Sequence, residues 1–290
     1  MFEYNYNPKT HSLFIQLPQK LRFDYNFHND ITGLLWKCIG SRDNIHTLYI
    51  SCNEDADYDK MSKAYLLNVF RFLLSYIKDV KWNKFLSQKI SSTVSQQSGA
   101  KFREIILSDE ITKSNLTYYV FTKDNDVQKP VDEITKLLVE LNLSLNEEII
   151  REFLSTTIGE IFSNSINHSH QDQIFFMFDI HYERGNFYLC VNVIDYGRTI
   201  IANVKDFLQN DDKGNAACMH WAIQPGNTTR HGSGGYGLPM LISYIKEMKG
   251  ILYILSDSVI YQLDDDSECI RSAQGIFCGT SITFKVKLYN

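Results

Sequence analysis

The chain has 290 residues, of which 44% are hydrophobic and 22% are charged, a balance that is ordinary for a globular protein of two domains. Its net charge of −5 and its scattered Lys and Arg residues offer no basic stripe, so no direct nucleic-acid partner is indicated. The cysteines form no Cys-x-x-Cys pair, the chain begins without a signal-peptide pattern, and its most apolar stretch is interrupted by Asn68 and Arg71. We therefore expect a cytoplasmic protein with reduced thiols and no membrane span.

The first third of the chain alternates strands with helices. Residues 12–17 and 47–51 are short and rich in β-branched and aromatic side chains, which predicts strands. Residues 31–39 carry apolar side chains at helical spacing, and residues 59–77 do so more strongly. The pattern predicts a small α/β domain over residues 1–125, which we interpret as an output or partner surface. Its layout resembles a STAS-type domain.

The middle of the chain is predicted to lead into a second domain, residues 126–290. Residues 91–100 are small, polar and free of periodicity, which indicates a loop. Strands are predicted at 105–107 and 117–121, followed by a turn at 123–126 and a helix over 131–141.

A long helix carries two polar residues at four-residue spacing. Ser144 and Glu147 form a capping-box pattern, which predicts a helix from this point to about residue 168. Glu160 and Asn164 fall on the side opposite its apolar residues. An amphipathic helix normally turns such a polar side to water. The motifs that follow favour a pocket on that side instead.

The next motif is a carboxylate at the end of a strand. Residues 187–194 are predicted to form a strand that leads directly into Asp195-Tyr196-Gly197. A carboxylate buried beside an apolar pocket can accept a hydrogen bond from an amine, and a glycine lets the backbone approach a planar ring. The plain alternative is an Asp-x-Gly turn, which is common in proteins.

A glycine-rich turn then leads into a helix. Free main-chain N–H groups at the start of a helix attract phosphate oxygens, and glycines permit their close approach. A dinucleotide-binding fingerprint would follow the first strand of a βαβ unit, whereas this turn comes late in the chain. The residues concerned are Gly232, Gly234, Gly235, Tyr236, Gly237 and Leu238.

Two further segments complete the pattern. Residues 198–231 are predicted to be a long segment with one helix at 216–223, and such segments in compact domains are usually functional. Thr229 and Arg230 lie at its end. Gly279-Thr280 falls within the final strand region, residues 275–288, which is predicted to close the sheet.

These motifs, in this order, resemble the GHKL superfamily of ATP-binding domains, which includes gyrase B subunits, MutL proteins and sensor histidine kinases. The resemblance covers roughly residues 144–290. It implies a Bergerat-type α/β sandwich, with a mixed sheet and helices on one face, and therefore an α+β fold for the chain. It also implies ATP and Mg²⁺ as ligands, with residues 198–231 forming a lid over the nucleotide.

The resemblance implies a role for each motif. Glu160 matches the general base, and Asn164 matches the residue that completes a Mg²⁺ shell of phosphate oxygens and waters. Thr229 and Arg230 would touch the γ-phosphate, beside the glycine-rich turn. Asp195 would read the adenine amine.

Gly197 and Thr280 would lie beside the adenine ring, next to the base-reading carboxylate. The implied function is a Mg-dependent, nucleotide-gated switch that acts on a protein partner, which includes a second copy of the chain. It would be a slow ATPase or, alternatively, a protein kinase. The isolated N-terminal histidines favour a serine kinase of the anti-sigma-factor type over a sensor histidine kinase. The presence of Glu160 argues against a module that holds ATP without turnover.

Overall fold

The computed structural model describes residues 1–40, 44–77, 79–94, 107, 110–113, 116–121, 128–140, 147–169, 173–229, 235–264 and 267–288. The chain forms two compact units, Met1–Tyr119 with Ala273–Phe277, and Val120–Ser272 with Cys278–Asn290. Helices and mixed sheets give it an α+β fold, which confirms the predicted fold class. In these described ranges, no helix is long and apolar enough to cross a membrane.

Unit 1 is built around a mixed four-stranded sheet with the order β1-β2-β4-β6, in which β1 is antiparallel to β2 and the other pairs are parallel. Its short strands β3 and β5 form a separate parallel pair. The elements are β1 (Glu3–Asn7), β2 (Ser12–Gln16), β3 (Lys20–Leu21), α1 (Tyr25–Gly40), β4 (Thr47–Ser51), β5 (Asp57–Tyr58), α2 (Lys60–Tyr76), β6 (Asp79–Trp82), α3 (Lys84–Val94) and β7 (Glu110–Lys113).

Helix α2 is the central helix of unit 1. Asp59 caps it: one carboxylate oxygen accepts the Ser62 N–H at 2.7 Å, and the other accepts the Phe23 N–H at 2.7 Å. The apolar stripe expected from the sequence is buried, including Leu67 and Phe70. Burial of this stripe and the side-chain cap together explain why the helix begins where the sequence pattern predicts.

A segment from the far end of the chain completes unit 1. The main-chain N–H of Gln274 donates to the Asn29 side chain at 2.8 Å, and that of Gly275 donates to the Thr32 hydroxyl at 3.1 Å. A side chain at Gly275 would overlap the main-chain carbonyl of Thr32. Only glycine therefore permits this approach to α1.

Unit 2 places helices against a sheet in which β11, β12, β10 and β9 are followed by the end of β8, Val120 and Phe121. Strand β10 is antiparallel to both of its neighbours, and its last residue, Asp195, lies opposite Thr280. The remaining elements are β8 (Leu116–Phe121), which also pairs with β7, α4 (Gln128–Glu140), α5 (Glu147–Ser169), β9 (Ile174–Glu183), β10 (Asn186–Asp195), α6 (Ile200–Leu208), α7 (Asn215–Ala222), α8 (Gly237–Glu247), β11 (Ile251–Asp264) and β12 (Ser267–Leu288).

Aromatic side chains fix α5 on the sheet. Phe162 lies 5.6 Å from Phe176 of β9, measured between ring centroids, and Phe153 lies 6.1 Å from Phe284 of β12. These rings are buried, so they contribute most of their surface to the core of unit 2. The polar side of α5 is thereby turned away from this core.

Two predicted loops contain helix. Residues 91–94 belong to α3, and residues 200–208 form α6 inside the segment for which a single helix was predicted. The strand predicted at 105–107 is wrong at Leu107, which lies in a turn. The remainder of the 91–100 and 105–107 predictions, the 123–126 turn and Ser144 lie outside the described residues.

Candidate functional site

Helix α5 brings Glu160 and Asn164 to one cavity. The opposite side of the helix is buried by Leu154, Ile158 and Phe162, and this burial fixes its rotation. Residues four apart on a helix lie on the same side. The two polar side chains accordingly line the cavity one turn apart, with Glu160 largely exposed to it.

The Asp195 carboxylate is 2% exposed at the end of β10. It accepts a hydrogen bond from the Gly197 N–H at 3.1 Å, and further hydrogen bonds from the Ser165 side chain and the Thr280 main chain. Loss of water outweighs these donors and raises the pKa of the Asp195 carboxyl from 3.8 to about 7. Near neutral pH, the arrival of another donor in the cavity therefore favours ionisation of this group.

Glycines allow two other segments to approach Asp195. A side chain at Gly197 would overlap the main-chain carbonyl of Ser169, the last residue of α5. Gly279 has a φ of +136°, and a side chain there would overlap the main-chain oxygen of Asp195. Because both positions require glycine, the end of β10 can contact α5 and β12 together.

The glycine-rich turn leads into α8 beside Glu160. A Cβ atom built on Gly237, the first residue of α8, would lie 2.6 Å from Glu160 Oε2 and 3.3 Å from Asn164 Nδ2. Tyr236 provides no side-chain cap for this helix. Main-chain N–H groups at its start are therefore available to an anion.

The first part of the turn was also predicted to be in the site. Arg230, Gly232 and Gly234 lie outside the described residues. Gly235 has a φ of +82°, and a side chain there would overlap the Asn227 carbonyl. The Gly226 N–H donates to the Gly235 carbonyl at 3.0 Å, which joins the end of the 198–229 segment to the turn.

Helices α6 and α7 form a wall of the cavity. Thr199 caps α6 by accepting the Ala202 N–H at 3.0 Å, and Ile200 and Val204 line the cavity from this helix. Trp221 lines it from α7. The segment predicted to be a lid thus contains two helices, and a capping threonine and an apolar stripe support the first of them, α6.

These elements surround a cavity of about 450 Å³, within the roughly 300–1,000 Å³ that is usual for small-molecule sites. Gly197 does not line it and acts through its hydrogen bond to Asp195. The predicted site residues that do line it are Glu160, Asn164, Asp195, Thr229, Gly235, Tyr236, Gly237, Leu238 and Thr280.

Several lining residues were not predicted from the sequence. Ser165 lies on α5 one residue after Asn164, and its side chain donates to Asp195. Arg198 follows the Asp-x-Gly motif directly and forms an ion pair with Asp206 of α6. Trp221 carried no sequence signal beyond its place in a predicted helix.

No family model matches the chain, and no curated protein is significantly similar to it in sequence.

Replacing Asp195 by Asn should stabilise the unliganded protein, relative to the parent, increasingly as pH rises from about 4 to 7. The carboxyl binds its proton more tightly when folded than when unfolded, so its contribution to stability is lost between about pH 4 and pH 7. Asn has no proton to lose. We expect Asp195→Asn to gain roughly 1–4 kcal/mol relative to the parent over this range, measured by urea unfolding. The exposed control Asp211→Asn should show no such trend, and a pH-independent difference for Asp195→Asn would contradict the burial argument.

Proposed function

We propose that the protein binds ATP with Mg²⁺ in this cavity and acts as a nucleotide-gated switch on a protein partner, with slow hydrolysis. The observation that carries the proposal is convergence: side chains from α5, β10 and β12 and the start of α8 line one cavity. Glu160, Asn164, Asp195 and Thr280 are among them. A general base, a metal ligand and a base-reading carboxylate are thus available together.

The Asp195 end of the cavity suits the nucleobase of the ligand. Its carboxylate is almost fully buried and lies opposite Thr280, and Ile200 and Ile282 supply apolar surface nearby. A flat ring with an exocyclic amine would bury its faces against the apolar side chains and donate to Asp195. Adenine has this combination of surfaces, which supports ATP as the ligand.

The Glu160 end suits the phosphates. The oxygen-bearing side chains of Glu160 and Asn164 lie beside the first residue of α8, where main-chain N–H groups can meet an anion. Oxygen ligands fit Mg²⁺, and Asn164 would hold the ion together with phosphate oxygens and waters. Bound Mg²⁺ would neutralise phosphate charge. Glu160 would accept a proton from the attacking water.

We expect hydrolysis to be slow. Arg198 is the one cationic side chain among the described residues that line the cavity, and its guanidinium is paired with Asp206. Cationic groups that stabilise the transferring phosphoryl group accelerate such reactions strongly. With the Arg198 guanidinium paired to Asp206, Arg230 would be the cation left to contact the γ-phosphate, and bound ATP would persist long enough to hold the switch in its ATP-bound state.

ATP binding should depend on Asp195. Asp195→Asn replaces a charged acceptor by an amide, which costs roughly 1.5–3 kcal/mol, a tenfold to hundredfold loss of affinity. Calorimetric titration with a non-hydrolysable ATP analogue at pH 8 measures this loss. Inorganic tripolyphosphate should bind parent and variant alike. Unchanged affinity for the ATP analogue would remove Asp195 from the site.

Substitution of Glu160 should slow ATP hydrolysis without preventing ATP binding. Glu160→Gln keeps the shape of the side chain but removes the base, so phosphate release should fall by about 10²–10⁴-fold while ATP still binds. Glu152→Gln, an exposed change on the same helix, is the matched control and should leave release unaltered. Parent-like hydrolysis by Glu160→Gln would show that the base lies elsewhere.

The lid segment should respond to the third phosphate. Lys213 lies between α6 and α7, both of which line the cavity, so trypsin should cut after it more slowly when Mg²⁺ and the ATP analogue are bound. ADP should protect less. Cleavage after the exposed Lys9 of unit 1 is the internal control. Equal protection by ADP and the ATP analogue would mean that the segment does not sense the third phosphate.

A further inference from the structure

Ser256 is a fully buried hydroxyl in β11, and its hydrogen bonds can be counted completely. Its Oγ accepts the main-chain N–H of Ile200 at 2.9 Å and donates to the main-chain carbonyl of Gly279 at 2.9 Å. It also lies 3.2 Å from the hydroxyl oxygen of Thr280. A serine hydroxyl has one proton and two acceptor sites.

This count fixes the direction of the remaining bond. Because the Ser256 proton is donated to Gly279, the Thr280 hydroxyl must be the donor in its contact with Ser256. Thr280 lines the cavity, and the proton of its hydroxyl is already used in the contact with Ser256. It can therefore only accept a hydrogen bond from a ligand.

The Asp195 end of the cavity, where the nucleobase would bind, consequently presents two hydrogen-bond acceptors side by side. Asp195 and Thr280 lie opposite each other on β10 and β12, and both line the cavity. Two acceptors suit an exocyclic amine, which only donates, and repel a carbonyl oxygen, which only accepts. An amine can therefore donate to both residues, whereas a carbonyl at the same ring position gains no hydrogen bond from either.

We propose that Ser256 is a positioning residue that sets base selectivity: by taking the Thr280 proton, it keeps the base end of the cavity acceptor-only. This inference rests on the proposed nucleotide-binding function. Ile200 donates to one acceptor site of Ser256, so the Thr280 proton occupies the remaining acceptor site. The chemistry recognised is a purine with an amine, not a carbonyl, at its six position.

The test compares ATP with inosine triphosphate, whose base has a carbonyl in place of the six-amine and carries a proton on the adjacent N1. At pH 8 the parent should prefer ATP by roughly tenfold to hundredfold, measured by calorimetry with Mg²⁺. Ser256→Ala frees the Thr280 hydroxyl to rotate and donate to a carbonyl. The preference should then shrink by about threefold to tenfold, mainly through tighter binding of inosine triphosphate relative to ATP.

Matched variants separate this role from a structural one. Ser281→Ala removes an equally buried hydroxyl from β12, one that accepts from Asn192 at 3.0 Å and does not line the cavity. It should lower stability without changing the ratio of the two affinities. In a Thr280→Val background, adding Ser256→Ala should leave the ratio where Thr280→Val alone puts it.

The outcomes distinguish failure of the Ser256 inference from failure of the proposed nucleotide binding. If the parent binds ATP and folded Ser256→Ala keeps the parental ratio, the inference is wrong and the proposed function stands. If the parent binds neither nucleotide, both fail. Should Ser256→Ala not fold, Ser256→Cys fills the same space with a weakly hydrogen-bonding sulfur and should shift the ratio in the same direction. A parental ratio in that variant would equally overturn the inference.

Discussion

A carboxylate taken out of water loses a large hydration free energy, and donors must surround it to offset the loss. Asp195 collects such donors from α5, from the turn after β10 and from β12, through Ser165, Gly197 and Thr280. The raised pKa shows that these three bonds offset the loss only in part. Three parts of the chain thus converge on the Asp195 carboxylate, and one further hydrogen-bond donor would still stabilise its charged form.

Close backbone approach is what makes this convergence possible. Gly197, Gly235, Gly237 and Gly279 each stand where a side chain would overlap or crowd an atom of another motif. In a sequence they read as separate turns or phosphate loops. In the folded chain these glycines lie where α5, β10, α8 and β12 come into contact, so the motifs pack directly against one another. Any ligand that contacts one of them contacts a neighbour of the others.

The sequence predicts an element correctly where its local pattern of apolar residues matches the side that is buried in the fold. Helix α2 follows its apolar stripe, and Glu160 and Asn164 line the cavity because the opposite side of α5 is apolar. Residues 91–94 were predicted as loop because their Ser and Thr composition resembles one, although α3 continues through Val94. The roles of Ser256 and Arg198 depend on partners distant in sequence, which no periodicity encodes.

The segment Ala273–Phe277 belongs to unit 1 but is synthesised long after the rest of that unit. Its hydrogen bonds to α1, from Gln274 and Gly275, span 245 and 243 residues of sequence. Unit 1 includes Met1–Tyr119, yet the α1 surface that accepts these bonds has no partner from this segment until residues 273–277 have been translated. Contacts of such long range slow folding and lengthen the exposure of unfinished surfaces. This surface of α1 therefore stays uncovered long after α1 itself has been made, and a growing chain stalled before residue 273 would expose it to chaperones.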